Sequence, residues 1–169
     1  MKSLEKKYKK NGFSILEVIA AIFIISLGLI GVLSLILQNI QVQYVNRNML
    51  IGTELAQEGI ELIRNIRDDN WLAGRDWDNG LSPDNYIIDY TGSISSVSGI
   101  SEAKLQIRDD LGEEGFYWHE ATDNNSIFSR LITITTIDTN SSLVSSLVSW
   151  SERGRTHQYQ TDTILYNWR

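Results

Sequence analysis

The chain has no cysteine in its 169 residues. Disulfides and thiolate metal sites are therefore excluded, and any folded part must be held by its core alone. Proline occurs once, at Pro83, so the long apolar stretch near the N-terminus contains no helix-breaking residue. Histidine is almost absent. His119 and His157 are the two present, and neither lies in a Ser or Asp motif that would supply a nucleophile, a base and an orienting group. Two such lone histidines read as strand-surface or core-edge residues. A Gly-rich phosphate loop is missing as well. The acidic pairs Asp109–Asp110 and Glu113–Glu114 flank a turn and read as solvated. The sequence thus carries no catalytic constellation, requires no cofactor, and is expected not to be an enzyme.

Positive charge is also scarce, and it is unevenly placed. The formal net charge is −6. The stretch through Gly12 holds Lys2, Lys6, Lys7, Lys9 and Lys10 against Glu5 alone, a local charge of +4. That leaves ten basic and twenty acidic residues for the remainder, a net of −10. An acidic body of this kind argues against a general nucleic-acid-binding surface, and no nucleic-acid partner is expected.

The basic stretch leads into a long apolar run. Val18 to Leu37 holds no charged residue and only two serines, Ser26 and Ser34. As a helix it would span about 30 Å, one hydrocarbon core. A buried core helix would show a polar face, and this run shows none. The expectation is a single membrane span. Lysines before it place the N-terminus inside and everything after Leu37 outside the cytoplasmic membrane. A cleavable secretory signal would have a shorter apolar region and end at a small-residue site; here QNIQVQ follows. Gly28 and Gly31 lie within the span, where small residues permit close helix–helix approach.

Glu17 is the unexpected residue. An unpaired carboxylate near a membrane costs a few kcal/mol. It either snorkels at the cytoplasmic edge or meets a cation at the same depth on a neighbouring molecule. A cut between Gly12 and Phe13 would create such a cation, the α-amino group of Phe13.

The segment Gly12-Phe13-Ser14-Ile15-Leu16-Glu17, after a Lys-rich leader and before an apolar helix, resembles the class III signal of type IV pilins and pseudopilins. The resemblance implies a prepilin peptidase cutting after Gly12, N-methylation of Phe13, and an assembly role for Glu17 opposite the amine of an adjacent subunit. Its implied partners are other pilin or pseudopilin subunits, the prepilin peptidase, an inner-membrane assembly platform and membrane lipid. Many members carry a C-terminal disulfide and a proline in the span, and this chain departs from both patterns. The span LGLIGVLSL, the segment AQEGIELIRNIRDDNW, a strand FSRLITI and a closing YNW resemble the minor-pilin V group and the related pseudopilin I of type II secretion. The function implied is a minor subunit of a pilus or secretion pseudopilus. The alternative is a membrane-anchored extracytoplasmic binding module that never polymerises.

Beyond the span an apolar stripe continues at steps of three and four: Ile40, Tyr44, Asn48, Ile51, Leu55, Gly59, Leu62 and Ile66, widened by Val45, Gly52, Ala56 and Ile63. This spacing predicts one helix from about Ser14 to Arg67. Asp68 to Asp84 reads as a loop, with Trp71 and Trp77 tucked against the domain. Within it, Asp76 and Asp78 form a weak calcium-loop candidate, because Gly80 occupies the third ligand position and breaks the EF-hand register. No other metal site is expected. Period-two segments follow: Tyr86–Tyr90, Ala103–Arg108, Phe116–His119, Ile127–Ile137, Leu143–Trp150 and Thr156–Trp168, with Thr91–Ser101 as a Ser/Gly-rich exposed loop and a hairpin turn at Glu152–Arg155. The expected organisation is a leader at 1–12, an assembly half of the helix at 13–37, an amphipathic half at 38–68, and an exported antiparallel β domain at 69–169. The expected fold class is α+β and pilin-like, with a long N-terminal helix packed on an antiparallel sheet.

Overall fold

A computed structural model of the protein describes residues 12, 14–108, 116–119 and 125–168. The basic leader before Gly12, Phe13, and the expected turn at Asp109–Gly115 with its acidic pairs lie outside the described residues. One long helix, α1 (Ile15–Leu72), is followed by β1 (Asp84–Ile88), β2 (Ile94–Ser96), β3 (Lys104–Arg108), β4 (Phe116–Trp118), β5 (Asn125–Asp138), β6 (Ser141–Glu152) and β7 (Arg155–Tyr166). Every strand pairing is antiparallel. The expected arrangement, α+β and pilin-like with one apolar N-terminal helix and an antiparallel sheet, is the one observed.

The chain divides after Asn46 into two units. In the first, every described residue is exposed, including all of Ile15–Leu37. In the second, the Arg47–Leu72 part of α1 lies on the sheet. The helix runs five residues beyond the expected Arg67, and Gly74 accounts for the difference. Gly74 takes a φ of 67°, while its N–H donates to Trp71 O at 3.1 Å and Arg75 N–H donates to Asn70 O at 2.8 Å. This is the paired closure of a helix C-terminus, with glycine at the left-handed position. Asp68, Asp69 and Asn70 favour turns locally. Burial of Asn70 and Trp71, with the Arg67 guanidinium over the Trp71 ring at 4.7 Å, keeps them helical.

The buried line of α1 follows the expected stripe along one edge and adds Ile60, which the stripe left out. Gly52, Leu55, Ala56, Gly59, Ile60 and Ile63 are buried, whereas Ile51, Leu62 and Ile66 are only half-buried. Small residues set this line because they permit the closest approach. A Cβ on Gly52 would lie 2.8 Å from Trp150 Cζ3, and one on Gly59 would lie 2.7 Å from both Ile132 Cδ1 and Ser146 Oγ. Of the expected large residues, Leu55 and Ile63 enter the contact, and Ile51, Leu62 and Ile66 flank it.

β5 is the centre of the sheet. One of its edges pairs with β6 along almost its full length, from Phe128↔Trp150 to Asp138↔Ser141. Its other edge is shared, with β1 at Ile132–Ile134 and β3 at Asn125–Ser129. β6 and β7 form an unbroken hairpin from Ser141↔Tyr166 to Glu152↔Arg155, closed at the expected turn. The Ser/Gly-rich stretch expected as a loop contains β2, which pairs with β1 from Tyr86↔Ser96 to Ile88↔Ile94. Backbone pairing carries most of that strand, since Ser95 and Ser96 present no apolar side chain; Ile94 alone packs against the core.

Alternation sends Phe128, Arg130, Ile132 and Ile134 of β5, and Val144, Ser146, Val148 and Trp150 of β6, towards α1. Two apolar clusters result. Ile60, Ile63, Trp71, Ile132 and Val144 belong to one; Leu55, Ala56, Leu105, Phe128, Val148 and Trp150 form the other. Gly59, Arg130 and Ser146 lie between them on their three elements.

Candidate functional site

The N-terminal candidate residues sit at the start of α1. The Ser14 backbone carbonyl accepts the N–H groups of Glu17 at 3.0 Å and Val18 at 3.2 Å, so Ser14 stands at the N-cap position and Glu17 falls in the first turn. A carboxylate there is favoured by the unsatisfied N–H groups and the positive end of the helix dipole. Gly12 is exposed, and a Cβ there would meet nothing within 4 Å. Glu17 is likewise exposed. The structure therefore places Gly12 and Glu17 on either side of an open helix start; Phe13, between them, is not among the described residues. From Ile15 onward α1 is long and apolar enough to cross a membrane, and none of its apolar window is buried by the chain itself. Such a surface is stable only against lipid or other protein.

Asp76 and Asp78 lie in an exposed double turn. Asp76 O accepts from Asn79 N–H at 3.0 Å and Asp78 O from Leu81 N–H at 2.8 Å. The turn's inward carbonyls are occupied by an amide: Asn70 Nδ2 donates to Asn79 O at 2.8 Å and to Trp77 O at 3.3 Å. Trp77 and Leu81 anchor it in the core, as expected for Trp77. Among the described residues, no group of three or more His, Asp or Glu side chains is placed to hold a metal ion.

A polar cluster that sequence reading missed lies under α1. Arg130 is 0 % exposed. Its Nη1 donates to Leu55 O at 3.2 Å and lies 3.2 Å from Glu58 Oε2, and its Nη2 donates to Ile88 O at 2.6 Å. One guanidinium thus joins α1 to the end of β1. Its Nε has no hydrogen-bond partner among the described residues. Burial pushes the guanidinium pKa down, while Glu58 and then Asp89 hold it up. Arginine remains charged in such a site, so the fold must carry a buried cation. Asp89 is buried beside it and accepts from Thr91 N–H at 3.0 Å and Thr91 Oγ1 at 2.5 Å. His119 follows β4 at the core edge, with Nδ1 3.2 Å from Lys104 O. Burial first, and the Arg130 charge second, push its imidazole pKa down to about 4, against the opposing pull of the Lys104 carbonyl and Asp89. The other histidine, His157, stacks on Trp150 with ring centroids 5.5 Å apart. A signal for the cluster was present in the sequence: Arg130 is the charged residue at an inward position of an alternating strand.

A groove of about 400 Å³ between α1 and β7 is lined by Glu54, Gln57, Glu61, Arg64 and Asp162. Arg64 spans it, with Nη2 donating to Thr163 Oγ1 at 3.0 Å. The Arg64–Glu61 pair in the groove is solvent-facing, while Glu58, which also lines it, reaches the buried Arg130.

Residues 7–33 match a family model described as the prokaryotic N-terminal methylation motif. No curated protein and no solved structure matches the chain. The motif supports a class III signal of the type IV pilin kind and indicates a pilin-like substrate of a prepilin peptidase. It suggests a structural rather than an enzymatic protein and is consistent with a membrane-anchored, pilin-like chain. The likeness is confined to the N-terminal end; the β-sheet unit lies outside it.

Proposed function

We propose that this chain is a minor subunit of a type IV pilus or a type II secretion pseudopilus. It is inserted with its N-terminus in the cytoplasm, cut after Gly12, methylated at Phe13, and drawn from the membrane into a fibre in which Ile15–Leu37 packs on the same segment of its neighbours. Glu17 pairs with the Phe13 amine of an adjacent subunit. The leader ends at Gly12, the assembly half of the helix runs to about Leu37, and the remainder carries the exported domain. The observation that carries this reading is the coincidence, at one end of the chain, of the matched motif with an exposed Gly12, a first-turn carboxylate at Glu17 and an apolar helix unburied by its own chain. Partners are other pilin or pseudopilin subunits, the prepilin peptidase and the membrane assembly platform.

Intact mass and N-terminal sequencing of the protein from cells holding a prepilin peptidase test it. The expected product begins at N-methylated Phe13. A chain still beginning at Met1 overturns the reading and leaves a non-polymerising membrane anchor. Glu17→Val tests the assembly step separately: the variant is cut as usual and fails to enter fibres, and a variant that still assembles removes Glu17 from that role.

A further inference from the structure

We propose that the free edge of β7, where it borders the groove against α1, is a docking site for an extended, basic segment of another protein, which adds there as a further strand of the sheet. This goes beyond the pilin reading and does not depend on it. β7 is an end strand: it pairs with β6 along one edge, and among the described residues its other edge takes no strand partner. The sheet's other end strands, β2 and β4, are three residues each. β7 has 12, so its open ladder is about 40 Å long. Folded proteins protect such edges by brevity, by lysine or proline, or by a bulge that turns the strand away. None of these protects β7. Its sequence RTHQYQTDTILY holds no lysine and no proline. Its register with β6 runs from Ser141↔Tyr166 to Glu152↔Arg155 without a shift, whereas the β3–β5 and β5–β6 ladders each carry one.

The groove shows what this edge can receive. Thr161, Asp162 and Thr163 line it in succession, inward- and outward-facing residues alike, so that wall is the backbone edge of the strand itself. The opposite wall is α1, with Glu54, Glu58 and Glu61 spaced four and three apart on one helix face. Glu58 is committed to Arg130 in the seam between α1 and the sheet. That leaves Glu54, Glu61 and Asp162 against Arg64, which is itself held by Glu61 and Thr163. A strand laid along β7 gains main-chain hydrogen bonds from the edge. Its alternate side chains share one face, so a basic residue at every second position meets the α1 carboxylates. A second copy of this chain is a poor occupant, because antiparallel β7–β7 pairing would set two such acidic helix faces opposite each other. Nor do the described residues offer a basic strand of their own, since Lys104 and Arg108 lie in β3, which is paired on both edges.

The test uses the full chain in detergent micelles, titrated with a short synthetic peptide that alternates lysine and threonine. Calorimetry gives the affinity, and hydrogen exchange read by NMR gives the amides that become protected. The expected result is saturable binding with new protection at every second amide of β7, those that do not bond to β6. A peptide alternating glutamate and threonine, and the lysine peptide with every backbone amide methylated, should each bind about tenfold or more weakly. Glu54→Gln combined with Glu61→Gln, both at exposed positions, should weaken the lysine peptide about fivefold at low salt. Equal binding by the methylated peptide, or binding without period-two protection in β7, reduces the groove to a charged surface and overturns the proposal. No binding of the lysine peptide overturns it too. Protection of the same alternate β7 amides before any peptide is added assigns the edge to this chain itself, and likewise overturns it.

Discussion

The two stretches of α1, Ile15–Asn46 and Arg47–Leu72, share one continuous helix and differ in what their side chains touch. The first carries most of the apolar side chains, among them Phe23, Ile24, Leu27 and Ile30, and buries none of them. The second is sprinkled with charge, yet it buries Leu55, Ile60, Ile63 and Trp71. Apolar character by itself therefore says little about where a helix draws its stability within the chain. The second stretch is stabilised by a partner that fits it; the first requires surroundings that the chain does not supply. Closeness of approach separates them further, since Gly28 and Gly31 face open space while Gly52 and Gly59 are pressed against the sheet.

Matched substitutions in the two stretches test this difference, with chemical unfolding in micelles followed by tryptophan fluorescence as the measurement. Ile63 is 0 % exposed, and Ile63→Ala is expected to lower the stability of the β-sheet unit by about 3 kcal/mol through lost burial and the cavity left behind. Ile24→Ala removes a similar side chain from an unburied position and should leave that transition within about 0.5 kcal/mol. Equal losses at the two positions would erase the contrast. Gly59→Val forces two methyl groups into Ile132, Ser146 and Arg130 and should cost about 2–3 kcal/mol, against no measurable change for Gly28→Val.

Lowering the pH from 7 to 4 is expected to cost the same unit about 2 kcal/mol from His119. That figure is reduced from the full linkage value because part of the ring faces solvent. The sign follows from a folded-state pKa below the unfolded one: the contribution is present above pH 6.5 and lost towards pH 4. His119→Gln should flatten the profile in this window. A small effect is expected at Glu61→Gln, which breaks an exposed i, i+3 pair with Arg64 and should cost no more than about 0.3 kcal/mol.

How much of this was legible in the sequence depended on whether one residue's neighbours could be inferred from spacing alone. The apolar half of α1 was legible because Val18–Leu37 contains no charged residue, and none of it is buried by the chain. Strands β3, β5, β6 and β7 were legible to within two or three residues from alternation such as Ala103, Leu105 and Ile107, although Ile107 is only half-buried. The buried line of α1 was legible at Gly52, Leu55, Ala56, Gly59 and Ile63, all in the expected stripe; Ile60 was missed, and Ile51, Leu62 and Ile66 lie at its margin because the sheet comes closest at the glycines. The helix end was misplaced because Asp68–Asp69–Asn70 has turn propensity that tertiary burial overrode, and the effective stop was Gly74. β2 could not be read from its side chains, since Ile94 alone packs on the core and the rest of the strand is a backbone ladder. At the candidate site, Gly12 and Glu17 could be placed from the sequence because both belong to a contiguous segment. Arg130 could not: its three acceptors come from residues 42 and more positions away in the chain.

The buried guanidinium has a mechanical consequence. An apolar helix face can slide along a sheet in small steps, exchanging one greasy contact for another. A displacement of α1 by one turn, about 5.4 Å, would carry Leu55 O and Glu58 away from Arg130 and strand a charge in the interior. The seam therefore acts as a key cut for one register. Tension along the helix axis is borne there as a threshold, so that the domain holds its place until the key shears rather than creeping under load.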